Sequence, residues 1–113
     1  MRQRLDDAVI FGGNFWTKLK LKPMTLTLGA ALTIDADSPP LLNIDPGGAT
    51  RILTLPTGEE GLVFVINNAA DAAEDLTINN PAAATIGTVS QNEAGVAFFA
   101  GGVWYLRLVG TTT

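Results

Sequence analysis

The sequence predicts an all-β fold: an antiparallel β-sandwich or β-barrel body at residues 25–113, behind an extended basic N-terminal arm at residues 1–24. Three observations lead there. Short runs rich in β-branched and aliphatic residues recur about every 8–12 residues, separated by Gly, Pro, Asn and Asp. No segment of about 12 residues keeps a helical apolar stripe. At 113 residues, nearly half of them apolar, the chain is long enough for one domain with its own core.

The arm is read first. Apolar Ala8-Val9-Ile10-Phe11 is broken by Gly12-Gly13-Asn14, and Pro23 ends the segment. From Thr17 to Lys22, lysines at 18, 20 and 22 alternate with Leu19 and Leu21. That period of two describes an extended strand with one basic and one apolar side. The simplest role is an edge strand kept from pairing by its lysines. The functional alternative is an arm lying across a partner, with Phe11, Phe15 and Trp16 as apolar anchors. The N-terminus lacks the continuous apolar stretch of a signal peptide. No run of about 18 apolar residues is present, so no membrane partner is expected.

The body follows as a series of strands and turns. Leu26 and Leu28, then Leu32 and Ile34, alternate around Gly29. Leu41-Leu42-Asn43-Ile44 leads into the turn Asp45-Pro46-Gly47-Gly48, and Arg51 to Leu55 ends at Pro56. After the turn Thr57–Gly61 comes the most apolar run, Leu62 to Ile66. Between it and Leu76-Thr77-Ile78 lies an Ala-, Asp- and Glu-rich stretch. Eight residues there are too few for a stable helix or a parallel crossover, so an antiparallel hairpin with a long acidic tip is expected. The turn Asn79-Asn80-Pro81, the tip Gln91-Asn92-Glu93 and the Gly101-Gly102 hairpin turn separate the last strands. Phe98-Phe99 and Trp104-Tyr105 should each send one ring to the core and one to the opposite face.

Composition removes most chemistry. The chain has neither cysteine nor histidine. Disulfides, thiolate metal sites and the familiar nucleophile–base pairs cannot be built. The carboxylates Asp35/Asp37, Glu59/Glu60 and Asp71/Glu74/Asp75 all lie in turns, where solvated acids are ordinary. Asp35, Asp37 and Asp45 supply hard oxygen ligands that suit a cation, but not at the helix–loop–helix calcium spacing. "DPGGAT" lacks the Lys-Ser/Thr of a phosphate loop. No enzyme, catalytic residue, metal or cofactor is expected.

The charge is unevenly spread. Residues 1–24 carry five cations and two carboxylates (5 − 2 = +3), and residues 25–113 two cations and nine carboxylates (2 − 9 = −7), which sum to the net −4. A basic arm before an acidic body favours an acidic protein surface over nucleic acid as partner.

The stretch "TRILTLPTGEEGLVFVINNAADAAEDLTI", followed by "TIGTVSQNEAGVAFFAGGVWYLRLVG", resembles small phage virion proteins. The shared outline is Leu55-Pro56, Phe64-Val65-Ile66-Asn67, Leu76-Thr77-Ile78, Gln91-Asn92-Glu93 and Gly102-Val103-Trp104, within residues 30–110. Capsid decoration (cement or head-fibre-like) proteins and trimeric tail-fibre modules share it. The resemblance implies a homotrimer and transfers no catalytic residue. The short chain and basic arm favour decoration: a structural protein on the outer surface of a phage head, bound to the major capsid protein. Arg2, Arg4, Phe11, Phe15, Trp16, Lys18, Lys20 and Lys22 are the candidate capsid-binding residues. The alternative is a tail-fibre or baseplate module that binds a host-surface glycan through its loop tips.

Overall fold

The computed structural model describes residues 20–111. They form nine strands and no helix: β1 (Pro23–Thr27), β2 (Leu32–Thr33), β3 (Leu41–Asp45), β4 (Arg51–Thr54), β5 (Val63–Asn68), β6 (Leu76–Asn79), β7 (Thr85–Val89), β8 (Glu93–Ala100) and β9 (Val103–Thr111). Pro23 and Met24, assigned above to the arm, open β1.

Two sheets stack face to face. The first runs β1-β3-β5-β8-β9 and the second β2-β4-β6-β7. This all-β, sandwich-like arrangement agrees with the expectation, but the wholly antiparallel pattern and the barrel do not. β1, β3 and β5 pair in parallel, as do β2, β4 and β6. The sheets are mixed, and they do not close into a barrel.

The chain therefore winds as a coil through β1 to β6, visiting the sheets alternately. A parallel pair needs a long crossover. Here a strand of the opposite sheet supplies it: β4 carries the chain from β3 to β5, and β5 carries it from β4 to β6. The hairpin expected at residues 62–78 does not form for the same reason. β5 and β6 lie in different sheets, and residues 69–75 connect the two layers.

The last three strands change the pattern. β7 pairs antiparallel with β6, β8 with β5 and β9 with β8. The β8–β9 turn, Gly101-Gly102, holds both residues at positive φ (62° and 80°). A two-residue hairpin turn of this hand requires that, and glycine adopts it without steric cost.

The core lies between the sheets. Strand alternation sends Leu42, Ile44, Phe64, Ile66 and Ala97 inward from the first sheet, and Leu53, Leu76, Ile78 and Val89 from the second. Trp104 closes one side of this core. Its ring lies 5.5 Å from Phe99 and 6.3 Å from Phe64, and its indole N–H donates to Pro56 O at 3.0 Å. Among the described residues two polar side chains, Asn79 and the deeper Asn68, are buried. The Asn68 amide donates to Glu74 O and Val89 O and accepts from Ala70 N, each at 2.9 Å, so its polar atoms are satisfied.

Candidate functional site

The outward face of the first sheet is the most distinctive surface. Register places Leu41, Val65, Val96 and Arg107 in one row across β3, β5, β8 and β9. The next row is Val63, Phe98 and Tyr105, and beyond it Ala100 faces Val103. Val63 is 41% and Val103 50% exposed, high values for strand valines. Phe98 and Tyr105 stack with ring centroids 5.4 Å apart, and the Arg107 guanidinium sits 5.3 Å from the Tyr105 ring centre. Cross-strand aromatic pairs stabilise a sheet, but this one spends its rings on the outer side. As expected, Phe99 and Trp104 turn to the core while Phe98 and Tyr105 turn outward.

Towards the other end of the same face the apolar rows give way to Asn43 and Asn67, whose side chains bond directly: Asn67 Nδ2 donates to Asn43 Oδ1 at 2.7 Å. Asp45 follows at the rim. A contiguous apolar patch on a monomeric domain usually marks an interaction site. With strands about 4.8 Å apart and rows about 6.8 Å apart, the positions named in these rows span about 300 Å².

Two acidic features stand beside this surface. The Glu60 carboxylate accepts from Gly101 N and Gly102 N at 3.0 and 2.9 Å, clamping the β8–β9 turn. Those two bonds, Gly102 first, hold its pKa below the ordinary value. At the opposite end, Asp45, Asp71 and Glu74 bring a carboxylate oxygen each within 4.8 Å of one another. Asp45 Oδ1 accepts from Gly47 N and Glu74 Oε1 from Gly48 N, so these acids also order the turn after β3. Arg51 braces that turn by donating to Pro46 O and Gly47 O.

The structure regroups the acids considered from sequence. Asp35 and Asp37 precede β3 and Asp45 ends it, so the three do not converge. Asp35 instead accepts from Asp37 N within its own turn. Asp45 meets Asp71 and Glu74 because the coil stacks the β3–β4 turn on the β5–β6 connection, a contact no local spacing reveals. Of the candidate arm residues, Lys20 and Lys22 are exposed just before β1. Arg2, Arg4, Phe11, Phe15, Trp16 and Lys18 lie outside the described residues. No helix among the described residues is long and apolar enough to cross a membrane.

A cleft of about 350 Å³ opens between the β6–β7 turn and the β8–β9 hairpin. Ile86, Phe99, Val103 and Trp104 form its apolar walls, and Asn80 its polar rim. Asn80 is largely engaged in shaping its own turn, since Oδ1 accepts from Ala82 N and Ala84 N.

No family model and no curated protein matches this sequence. Among solved structures, a chain from "Structure of a chaperone-substrate complex" is similar at a TM-score of 0.51 and 18% identity. The match covers 75% of this chain but 17% of that one, so the fold corresponds to a small part of a longer polypeptide. Likeness at this identity concerns the fold alone.

Proposed function

We propose that this chain is a structural virion protein that binds the outer surface of a phage capsid as a homotrimer and stabilises the head. The observation that carries the reading is the apolar outer face of the first sheet on an otherwise acidic body. Acidic bodies repel one another. The rows Leu41-Val65-Val96 and Val63-Phe98-Tyr105 offer a nearly uncharged surface on which copies can meet around a threefold axis. The basic residues of 1–24 then face the major capsid protein. Each contact is weak, but repetition over a symmetric shell multiplies them. The resemblance in strand and tip pattern supports the same reading, and it assigns no catalytic role to any residue.

The test is copy number in purified virions, by gel densitometry against the major capsid protein. Hundreds of copies at a simple ratio to that protein are expected from shell symmetry. A handful would move the protein to the tail, and none would overturn the virion reading.

One observation favours a second reading, a tail-fibre or baseplate module that binds a host-surface glycan. The cleft walled by Phe99, Val103 and Trp104 lies among the loop tips, and its volume is in the range of small-ligand pockets. Binding to surface glycans that is lost in Val103→Asp would support it.

A further inference from the structure

Among the described residues, four strands are paired on one side only: β1 and β9 in the first sheet, β2 and β7 in the second. An open edge is a template for further pairing unless it is short, polar, or guarded by lysine or proline. Three of the four are guarded in these ways. β2 is two residues long. β7 is five residues long and exposes Thr85 and Thr88. β1 opens on Pro23, which has no N–H to offer, directly after the exposed Lys20 and Lys22. β9 is different. It has nine residues and Arg107 as its one charge. Four of its side chains are apolar or aromatic and exposed: Val103 (50%), Tyr105 (37%), Leu108 (51%) and Val109 (64%).

The backbone groups at that edge can be named. Phe99 N donates to Leu62 O and Gly61 N to Phe99 O, each at 3.0 Å, so odd-numbered residues of β8 bond towards β5 and even-numbered ones towards β9. Phe98 pairs with Tyr105 and Val96 with Arg107. Tyr105 and Arg107 therefore bond towards β8, and Trp104, Leu106 and Leu108 aim N–H and C=O at the open side. The side chains show the same incompleteness. Leu108 shares the inward phase of Trp104 and Leu106, yet half of it is exposed.

We propose that the β9 edge pairs antiparallel with the β9 edge of a second copy, across a two-fold axis at Leu106. The contact is isologous, the same edge on both copies. It sets Leu106 against the partner's Leu106, Trp104 against the partner's Leu108, Tyr105 against the partner's Arg107 and Val103 against the partner's Val109. Trp104, Leu106 and Leu108 then exchange their free backbone bonds, and every exposed apolar side chain of β9 is covered. Charge and strand length choose this register. An axis at Arg107 would set that cation against the partner's Arg107, and like charges directly opposite destabilise a pair. An axis at Tyr105 would leave Leu108 and Val109 opposite the partner's Gly102 and the partner's Gly101, where the strand has ended. The occupant is a second copy because β9 carries no carboxylate, so two acidic bodies can approach there without repulsion. Pairing also prolongs the apolar outer face, since Phe98 and Tyr105 run on to the partner's Arg107 across the axis, cation beside ring. One strand edge is smaller than the interface of a stable dimer, so the contact is weak in dilute solution and strengthens where copies are held side by side. It goes beyond the threefold reading and does not rest on it; in a shell, it would join one trimer to the next.

Disulfide trapping in the full chain tests it, because the chain has no cysteine of its own. Val103→Cys and Val109→Cys alter exposed side chains and should leave the fold intact. Opposed residues of a non-hydrogen-bonded antiparallel pair have Cα atoms about 4.5 Å apart, within disulfide reach. Val103 and the partner's Val103 would be about 20 Å apart, and so would the two copies of Val109. An equimolar mixture of the two variants under a mild oxidant is therefore expected to give about tenfold more cross-linked dimer than either variant alone. In the unsubstituted chain, amide exchange at Trp104, Leu106 and Leu108 should slow as concentration rises, while exchange at Thr25 and Thr27 of β1 should not change. A mixture with no excess of dimer over the single variants overturns the proposal. So does exchange at β9 that is indifferent to concentration, or a concentration dependence that appears at β1 instead.

Discussion

The two outer faces of the sandwich are built to the same alternation but clad differently. On the second sheet, register sets Thr33 beside Thr54, and Ile52 beside Thr77 and Thr88. Threonine is a good strand former whose hydroxyl satisfies itself in water. Ile52, 42% exposed, is an isolated apolar residue there, which is unremarkable. On the first sheet the equivalent positions hold Leu41, Val63, Val65, Val96, Phe98, Val103 and Tyr105, side by side. Both faces cover the same core and need only strand-forming residues to do so. The aromatic pair Phe98–Tyr105 stabilises the first sheet from its outer side, and it is this side that the proposed assembly would use.

The comparison can be broken or sharpened by substitution. The largest expected effect is on the core beneath both faces. Phe64→Ala should lower stability by about 3–5 kcal/mol, measured by urea unfolding, because a fully buried ring is replaced by a cavity. Asn68→Ala comes next, at about 2–3 kcal/mol, since it orphans the carbonyls of Glu74 and Val89 and the N–H of Ala70. Neither should change how folded copies associate, which separates stability from surface.

Surface substitutions should split by face. Thr77→Asp on the second sheet should change self-association less than twofold. Val63→Asp on the first should weaken it by at least tenfold, about 1.4 kcal/mol, with unfolding shifted by less than 1 kcal/mol. Equal effects would end the distinction between the faces.

The smallest effect concerns the turn that borders the apolar face. The folded-state pKa of Glu60 is lowered, so its clamp is complete above the ordinary value of 4.5 and is lost as pH falls below it. Gly101 and Gly102 amide resonances should titrate together in that acidic window. In Glu60→Ala that titration should vanish while the sheets stay intact.

Much of the strand content is legible in the sequence, and most of the pairing is not. The runs at Arg51–Leu55, Leu62–Ile66 and Leu76–Ile78 mark β4, β5 and β6 to within two residues, because alternation and turn residues act locally. Gly101-Gly102 marks its hairpin for the same reason. Which strands pair is a long-range choice. Without a helix the sequence pointed to antiparallel neighbours, since strands of an opposite sheet serving as crossovers leave no local sign. The meeting of Asp45 with Asp71 and Glu74, and the Glu60 clamp on Gly101 and Gly102, depend on those pairings and were equally hidden. Asn68 left one trace: it shares the inward phase of Phe64 and Ile66, where an amide needs partners.

The most direct test of the apolar face as an assembly surface is sedimentation equilibrium of the full chain beside Phe98→Asp. A trimer that becomes a folded monomer on substitution is the predicted result. A wild-type monomer at high concentration, or a trimer indifferent to the change, would contradict it.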